Sequence, residues 1–170
     1  MPSYSADEQF EQIQRLSETD LAYLAGLIDA DGTVTFQVSS GRRKNGDTAM
    51  PVPMVLIVNS DFALIEWLKE VIGYGCAYET KTRPTRADQN EVHWSKVHRF
   101  QLTGRPAIAL LRRALPYLRI KRERAELAMR MPMRHWHYKH TAAPHHRETA
   151  AILLAQMRTQ NRRGCQQEAA

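Results

Sequence analysis

The most restrictive stretch of the chain is residues 17–39, where a helix with two coverable sides runs without a linker into a strand with one. Ser17-Glu18-Thr19-Asp20 has capping-box spacing, and Leu21, Leu24, Leu27 and Ile28 continue it as a helical stripe. Ala22, Ala25, Gly26 and Asp29 read as a second face, and three of those four residues are small. A face of that kind lets another backbone approach closely, so both sides of the helix are expected to be covered. Gly32 permits the turn that follows. Residues 33–39 then alternate, with Val34, Phe36 and Val38 pointing one way and Thr33, Thr35, Gln37 and Ser39 the other. A long helix feeding directly into a half-buried strand predicts an α+β fold.

The rest of the chain continues the pattern. Ser5 and Glu8, followed by Phe10, Ile13 and Leu16, predict a short accessory helix over 5–16. Residues 41–47, with Arg42, Arg43 and Lys44, form a basic hairpin loop. Val52–Asn59 should be a second strand, whose early part Pro51 and Pro53 confine to an edge or an irregular stretch. A helix over 62–72 ends at Gly73-Tyr74-Gly75, and 76–83 and 92–103 form another strand pair. Further helices are expected over 106–115, 123–131 and 148–158. The expected order is αββαββα: a concave antiparallel sheet with helices on its other side. No linker or internal repeat divides the chain. We therefore read 1–16 as an accessory helix, 17–131 as the functional domain, and 132–170 as a basic, His-rich loop, a C-terminal helix and a polar tail of the same domain.

Charge is unevenly spread. The first 32 residues hold one arginine against seven acids, leaving 23 basic and 11 acidic residues beyond them and a net +6 overall. A basic chain of this kind favours a polyanionic partner. Cys76 and Cys165 have neither disulfide-framework nor zinc-site spacing. No apolar run approaches the roughly 20 residues that span a bilayer, and the first residues resemble no targeting signal. No membrane partner is expected. The protein is expected to act in its compartment of synthesis: a bacterial or phage-infected cytoplasm, or an organelle that encodes it.

Asp29 and Asp31 fall at the helix C-terminus, where the macrodipole is negative and carbonyls lack partners. Carboxylates are poorly placed there for helix stability, but such a site suits a hard divalent cation held by carboxylate and carbonyl oxygens. An Asx-capped turn is the plainer alternative.

Leu24-Ala25-Gly26-Leu27-Ile28-Asp29-Ala30-Asp31-Gly32 spells letter for letter the signature of the LAGLIDADG homing endonucleases. Over roughly residues 20–131 the chain resembles the single-motif members of that family. The likeness extends to element order, to Asn59-Ser60-Asp61 and Leu64-Ile65-Glu66-Trp67-Leu68-Lys69, and to Leu115-Pro116-Tyr117-Leu118-Arg119-Ile120-Lys121. The resemblance implies that Asp31 coordinates Mg²⁺, with Mn²⁺ as a substitute, together with the Ala30 carbonyl and phosphate oxygens. Asp29 is implied to be structural. Asn59, or its neighbour Ser60, falls where the family positions attacking water, although glutamine is common there. Lys121 matches a basic residue near the scissile phosphate, with a phosphate-gripping or solvated cation as the alternative.

One motif per chain and two strands to cut imply a homodimer packed through Ala22, Ala25, Gly26 and Asp29. Double-stranded DNA would meet the polar side of the sheet. Alternation places Thr33, Thr35, Gln37 and Ser39 there, with Tyr78 and Thr80 on the third strand and Arg99 and Gln101 on the fourth. Arg42, Arg43 and Lys44 would grip phosphates. The expected activity is a Mg²⁺-dependent double-strand break in a long pseudo-palindromic site. The rival is an intron-splicing maturase, with intron RNA as partner, or a DNA-binding regulator of the same fold that does not cut. His135, His137, His140, His145 and His146 are expected on a loop and not around a metal.

Overall fold

A single turn, α1 (Glu11–Gln14), is the described part of the expected N-terminal helix, since the computed structural model describes residues 10–38, 50–80, 96–133 and 144–166. Ser5, Glu8, Ser39, Arg42, Arg43, Lys44, His135, His137 and His140 lie outside the described residues. Ser17 then starts α2 (Glu18–Ala30): its Oγ accepts from the Asp20 N–H at 3.1 Å and donates to Asp20 Oδ2 at 2.7 Å. Half of the expected capping box is therefore replaced by a contact between the two side chains. Asp31 closes the helix, and β1 (Gly32–Gln37) follows immediately. Glycine is required at 32 because a Cβ would meet Ile28 Cα at 2.7 Å and Ile28 O at 2.8 Å. The tight turn is thus a matter of clearance from the helix backbone.

The remaining elements are β2 (Val52–Asn59), α3 (Phe62–Ile72), β3 (Cys76–Thr80), β4 (Val97–Thr103), α4 (Arg105–Ala114), α5 (Arg122–Met129) and α6 (Pro144–Gln166). Asp61 caps α3 by accepting from Ala63 N and Leu64 N, and Gly73 ends it at φ 71°. That left-handed conformation is one that glycine adopts without strain.

The four strands form one antiparallel sheet in the order β1-β2-β4-β3. The proline argument that put the start of β2 at an edge is wrong, because β2 is an inner strand. Pro53 faces Phe36 on β1, while pairing with β4 begins only at Met54. The Pro53 carbonyl accepts from Gly104 N at 2.8 Å, so its missing N–H also points toward the end of β4, where no ladder bond is lost.

Residues directly opposite in such a sheet share a face. Val34, Phe36, Val55, Ile57, Phe100 and Leu102 are buried on one side beneath Leu24, Ile28, Ile65, Leu68, Leu110 and Leu111 of the helices. Ile13, Leu153 and Met157 join the same core, so α1 and α6 pack with the sheet and its helices. Arg113 ties down the N-terminal segment by donating to the carbonyls of Gln14 and Leu16. Val38, expected to point inward, lies past the end of β1 and is 45% exposed.

Helix α6 starts at Pro144, earlier than expected, so His145 and His146 are helical and not in a loop. Proline suits a first helical position, where its missing N–H would have had no partner. Their rings touch, with centroids 4.2 Å apart. Among the described residues no three His, Cys, Asp or Glu side chains are gathered in a metal-holding group. No described helix is long and apolar enough to cross a membrane.

Candidate active site and nucleic-acid interface

Two charged residues far apart in sequence hold the end of α2. The Asp29 carboxylate accepts from the backbone N–H groups of Arg119 at 2.7 Å, Ile120 at 3.1 Å and Lys121 at 2.9 Å. In return, Lys121 Nζ donates to the carbonyls of Ile28 at 2.7 Å, Asp29 at 2.8 Å and Ala30 at 3.3 Å. These are the carbonyls that a helix C-terminus leaves unpartnered, and the acid faces amides just ahead of α5, where negative charge is favoured. The poor placement of Asp29 for the dipole of α2 is therefore offset by the amides it holds. Partial burial would raise the Asp29 carboxyl, but those amides and the Lys121 charge bring it below its ordinary value. Loss of water pushes Lys121 below the ordinary lysine value, Arg124 adds to this, and Asp29 and Asp31 oppose it.

This clamp bears on two expectations. Lys121 is 8% exposed, and its ammonium is directed into the helix end, which fits neither a solvated cation nor one gripping phosphate. The clamp also occupies Asp29 within its own chain. Ala25 is fully buried against the core, beside Leu21, Leu24 and Ile28. At 100° per residue, the open face of α2 runs instead through Ala22, Gly26 and Ala30. Asp29→Asn should lower stability by about 1–2 kcal/mol, because an amide keeps one acceptor oxygen but loses the charge. Urea unfolding would measure this, and an unchanged midpoint would mean that the clamp contributes nothing.

Asp31 is exposed at the same helix end. Asn59, on the end of β2, donates from Nδ2 to Asp31 Oδ2 at 3.4 Å. The Asn59 Oδ1 is occupied by the Asp61 N–H at 2.8 Å, which turns the amide nitrogen toward Asp31. The structure thus brings Asn59, and not Ser60, beside the carboxylate, and ties it to the start of α3 through Asp61. Asp31, Asn59, Ala30 and Lys121 gather at one end of the sheet.

The sheet face opposite the helices carries the residues singled out from sequence. Thr33, Thr35 and Gln37 share it with Arg99 and Gln101, and with Tyr78 and Thr80. A hydrogen-bonded line crosses it: Tyr78 Oη donates to Gln101 Oε1 at 2.9 Å, and Gln101 Nε2 donates to Gln37 Oε1 at 3.2 Å. Thr35 Oγ1 accepts from Asn161 Nδ2 of α6 at 3.4 Å. Arg99 Nε and Thr80 Oγ1 are buried and have no partner among the described residues. Between the polar strands runs an apolar column that sequence reasoning missed: Val52, Met54, Leu56 and Val58 of β2, each half-buried. The alternation of β2 was visible, but with both sets apolar nothing in it distinguished an outer from an inner face.

This is the fold of the LAGLIDADG homing endonucleases, α+β with a four-stranded antiparallel sheet, and it carries their nine-residue signature across the end of α2 and the start of β1. Among solved structures the chain is similar to the homing endonuclease I-CvuI in complex with its target in the presence of Ca. That match has a TM-score of 0.62 at 20% identity and covers 94% of this chain and 96% of that one. Also similar are I-CvuI in complex with the I-CreI target in the presence of Mg (0.62, 20%, 84% of this chain and 82% of that one) and the archaeal intron-encoded homing endonuclease I-Vdi141I complexed with DNA (0.57, 14%, 84% of each). At these identities the likeness establishes the fold. No family model and no curated protein matches the chain.

Proposed function

We propose that the chain is a homing endonuclease of the LAGLIDADG family that cuts both strands of a long, pseudo-palindromic DNA site as a homodimer, using Mg²⁺. The observation that carries this reading is the exposed Asp31 carboxylate at the end of the motif helix, set beside Asn59 and next to a polar sheet face. The fold is shared with I-CvuI, which is described in complex with its own target in the presence of Ca and with the I-CreI target, not cleaved, in the presence of Mg, and that supports duplex DNA as the partner.

The donor set fits a hard divalent cation. Asp31 offers one carboxylate, and the Ala30 carbonyl accepts only a long bond from Lys121, at 3.3 Å. Mg²⁺ keeps several waters and typically takes one or two carboxylates with phosphate oxygens, so a second chain and the DNA would complete the site. Bound there, it would lower the pKa of water and offset charge on phosphate. The chain's own part is positional: Asn59 orients the Asp31 carboxylate, the Asp29–Lys121 clamp fixes the helix end that carries it, and the sheet holds the duplex in register.

The dimer would form on the open face of α2. Among the described residues a Cβ on Gly26 meets nothing within 4 Å, so the glycine serves no packing need against them. Gly26→Leu should therefore leave the monomer folded but prevent helices of two chains from approaching, converting a dimer to monomer in sedimentation. A wild-type monomer that cuts both strands without associating on DNA would sink the dimer. The whole proposal is tested by joining the sequences that flank the gene and incubating that duplex with protein and Mg²⁺. A double-strand break at the junction is expected; binding without cutting would favour a regulator.

A further inference from the structure

We propose that Tyr78, Gln101 and Gln37 act as one base-reading unit whose hydrogen-bond polarity is set by Tyr78, so that the unit selects guanine where an isolated glutamine would select adenine. The inference rests on the reading of the chain as a protein that binds duplex DNA on this face of the sheet.

The three residues come from three strands, β3, β4 and β1, and Gln37 and Gln101 reach toward each other across β2. The polarity runs one way. The Tyr78 hydroxyl gives its proton to Gln101 Oε1, which turns the Gln101 amide nitrogen toward Gln37, and that nitrogen gives a proton to Gln37 Oε1. Each amide oxygen thus has one of its two lone pairs filled within the line. What the line has in excess is donors: the second N–H of Gln101 and both N–H groups of Gln37, whose Nε2 has no partner among the described residues.

A glutamine reads adenine by accepting from N6 while donating to N7. Here Gln37 Oε1 already accepts from Gln101, so an adenine N6 amino group would have to share that oxygen through its one remaining lone pair, crowded beside the Gln101 amino group. Guanine presents two acceptors, N7 and O6, on the same edge. A cluster of amide donors matches that edge without breaking the line. Tyr78 is 42% exposed, so its ring and hydroxyl lie at the surface where a duplex would dock. Tyr78 is a positioning residue: it acts on the base through the orientation it imposes on Gln101. The half-buried apolar column of β2 beneath the line holds no polar group that could exchange partners with the amides.

The test is a selection from a randomised duplex library by binding to the full-length protein in Ca²⁺ at fixed salt, run in parallel for wild type, Tyr78→Phe and Gln101→Ala. Tyr78→Phe keeps the ring and removes only the donor. The wild type should enrich guanine at one position in each half-site. Tyr78→Phe should lower the guanine-over-adenine ratio at that position by about tenfold or more, the scale of one bidentate contact, while the rest of the profile stays unchanged. Gln101→Ala should free Gln37 Oε1 and move the same position toward adenine. A merely structural role for Tyr78 would weaken all positions alike, which would overturn the proposal. So would adenine in the wild-type profile, or a Tyr78→Phe profile identical to wild type. A wild type that enriches no sequence at all would instead remove the DNA-binding reading on which the inference stands.

Discussion

Asp31→Asn is expected to bind a target duplex nearly as well as the wild type and to cut it at least about a hundredfold more slowly in Mg²⁺, the scale on which loss of one electrostatic contributor acts. An amide has the shape of the carboxylate but is a weaker ligand for a hard cation. The fold should not notice, because Asp31 is exposed and its hydrogen bond from Asn59 is long, at 3.4 Å. Single-turnover cleavage of the bound duplex separates the effects. A purified Asp31→Asn protein that cuts at the wild-type rate would exclude the assigned role.

Lys121→Met should act on a different property. Methionine fills nearly the same volume, but three helix-end carbonyls, those of Ile28, Asp29 and Ala30, lose their donor in a place where Lys121 is only 8% exposed. Buried carbonyls left in this way cost about 2–4 kcal/mol in total. For a chain of this size each kcal/mol moves Tm by about 2–4 °C, so the transition should fall by roughly 5–15 °C. Cleavage at a temperature where the variant is folded should be slowed only as far as the end of α2 has shifted. An unchanged Tm with cleavage lost would mean that the ammonium leaves the helix end to work on the phosphate.

These two expectations separate what sequence could and could not reveal. The helix–strand junction at 17–37 was legible because two periods, 3.6 and 2, meet there with only the capping Asp31 between them. The facing of Phe100 and Leu102 against Arg99 and Gln101 was legible for the same reason. Pro53 misled because the edge rule concerns one missing N–H, and a strand inner in the sheet can still have a proline where the neighbouring ladder has not begun. Ala25 misled because, at 100° per residue, it stands between the apolar stripe and the small face, and size alone cannot assign it. Lys121 was singled out by resemblance, but its contacts with the helix end were not. Its partners lie about 90 positions earlier in the chain, and no local pattern distinguishes it from Arg119, Arg122 and Arg124.

The two acids of the signature, one residue apart, have separate allegiances. Asp29 turns inward and fastens the stretch before α5 to the motif helix, while Asp31 turns outward and fastens nothing of comparable weight. Under the proposed function, selection for a stable scaffold acts on the first, and selection for cutting acts on the second. A lineage that stopped cutting DNA but kept the scaffold for binding could exchange Asp31 freely, whereas exchange of Asp29 would loosen the molecule itself. In a descendant of this protein, the state of residue 31 would record whether the proposed activity is still under selection, and the state of residue 29 only whether the protein still folds.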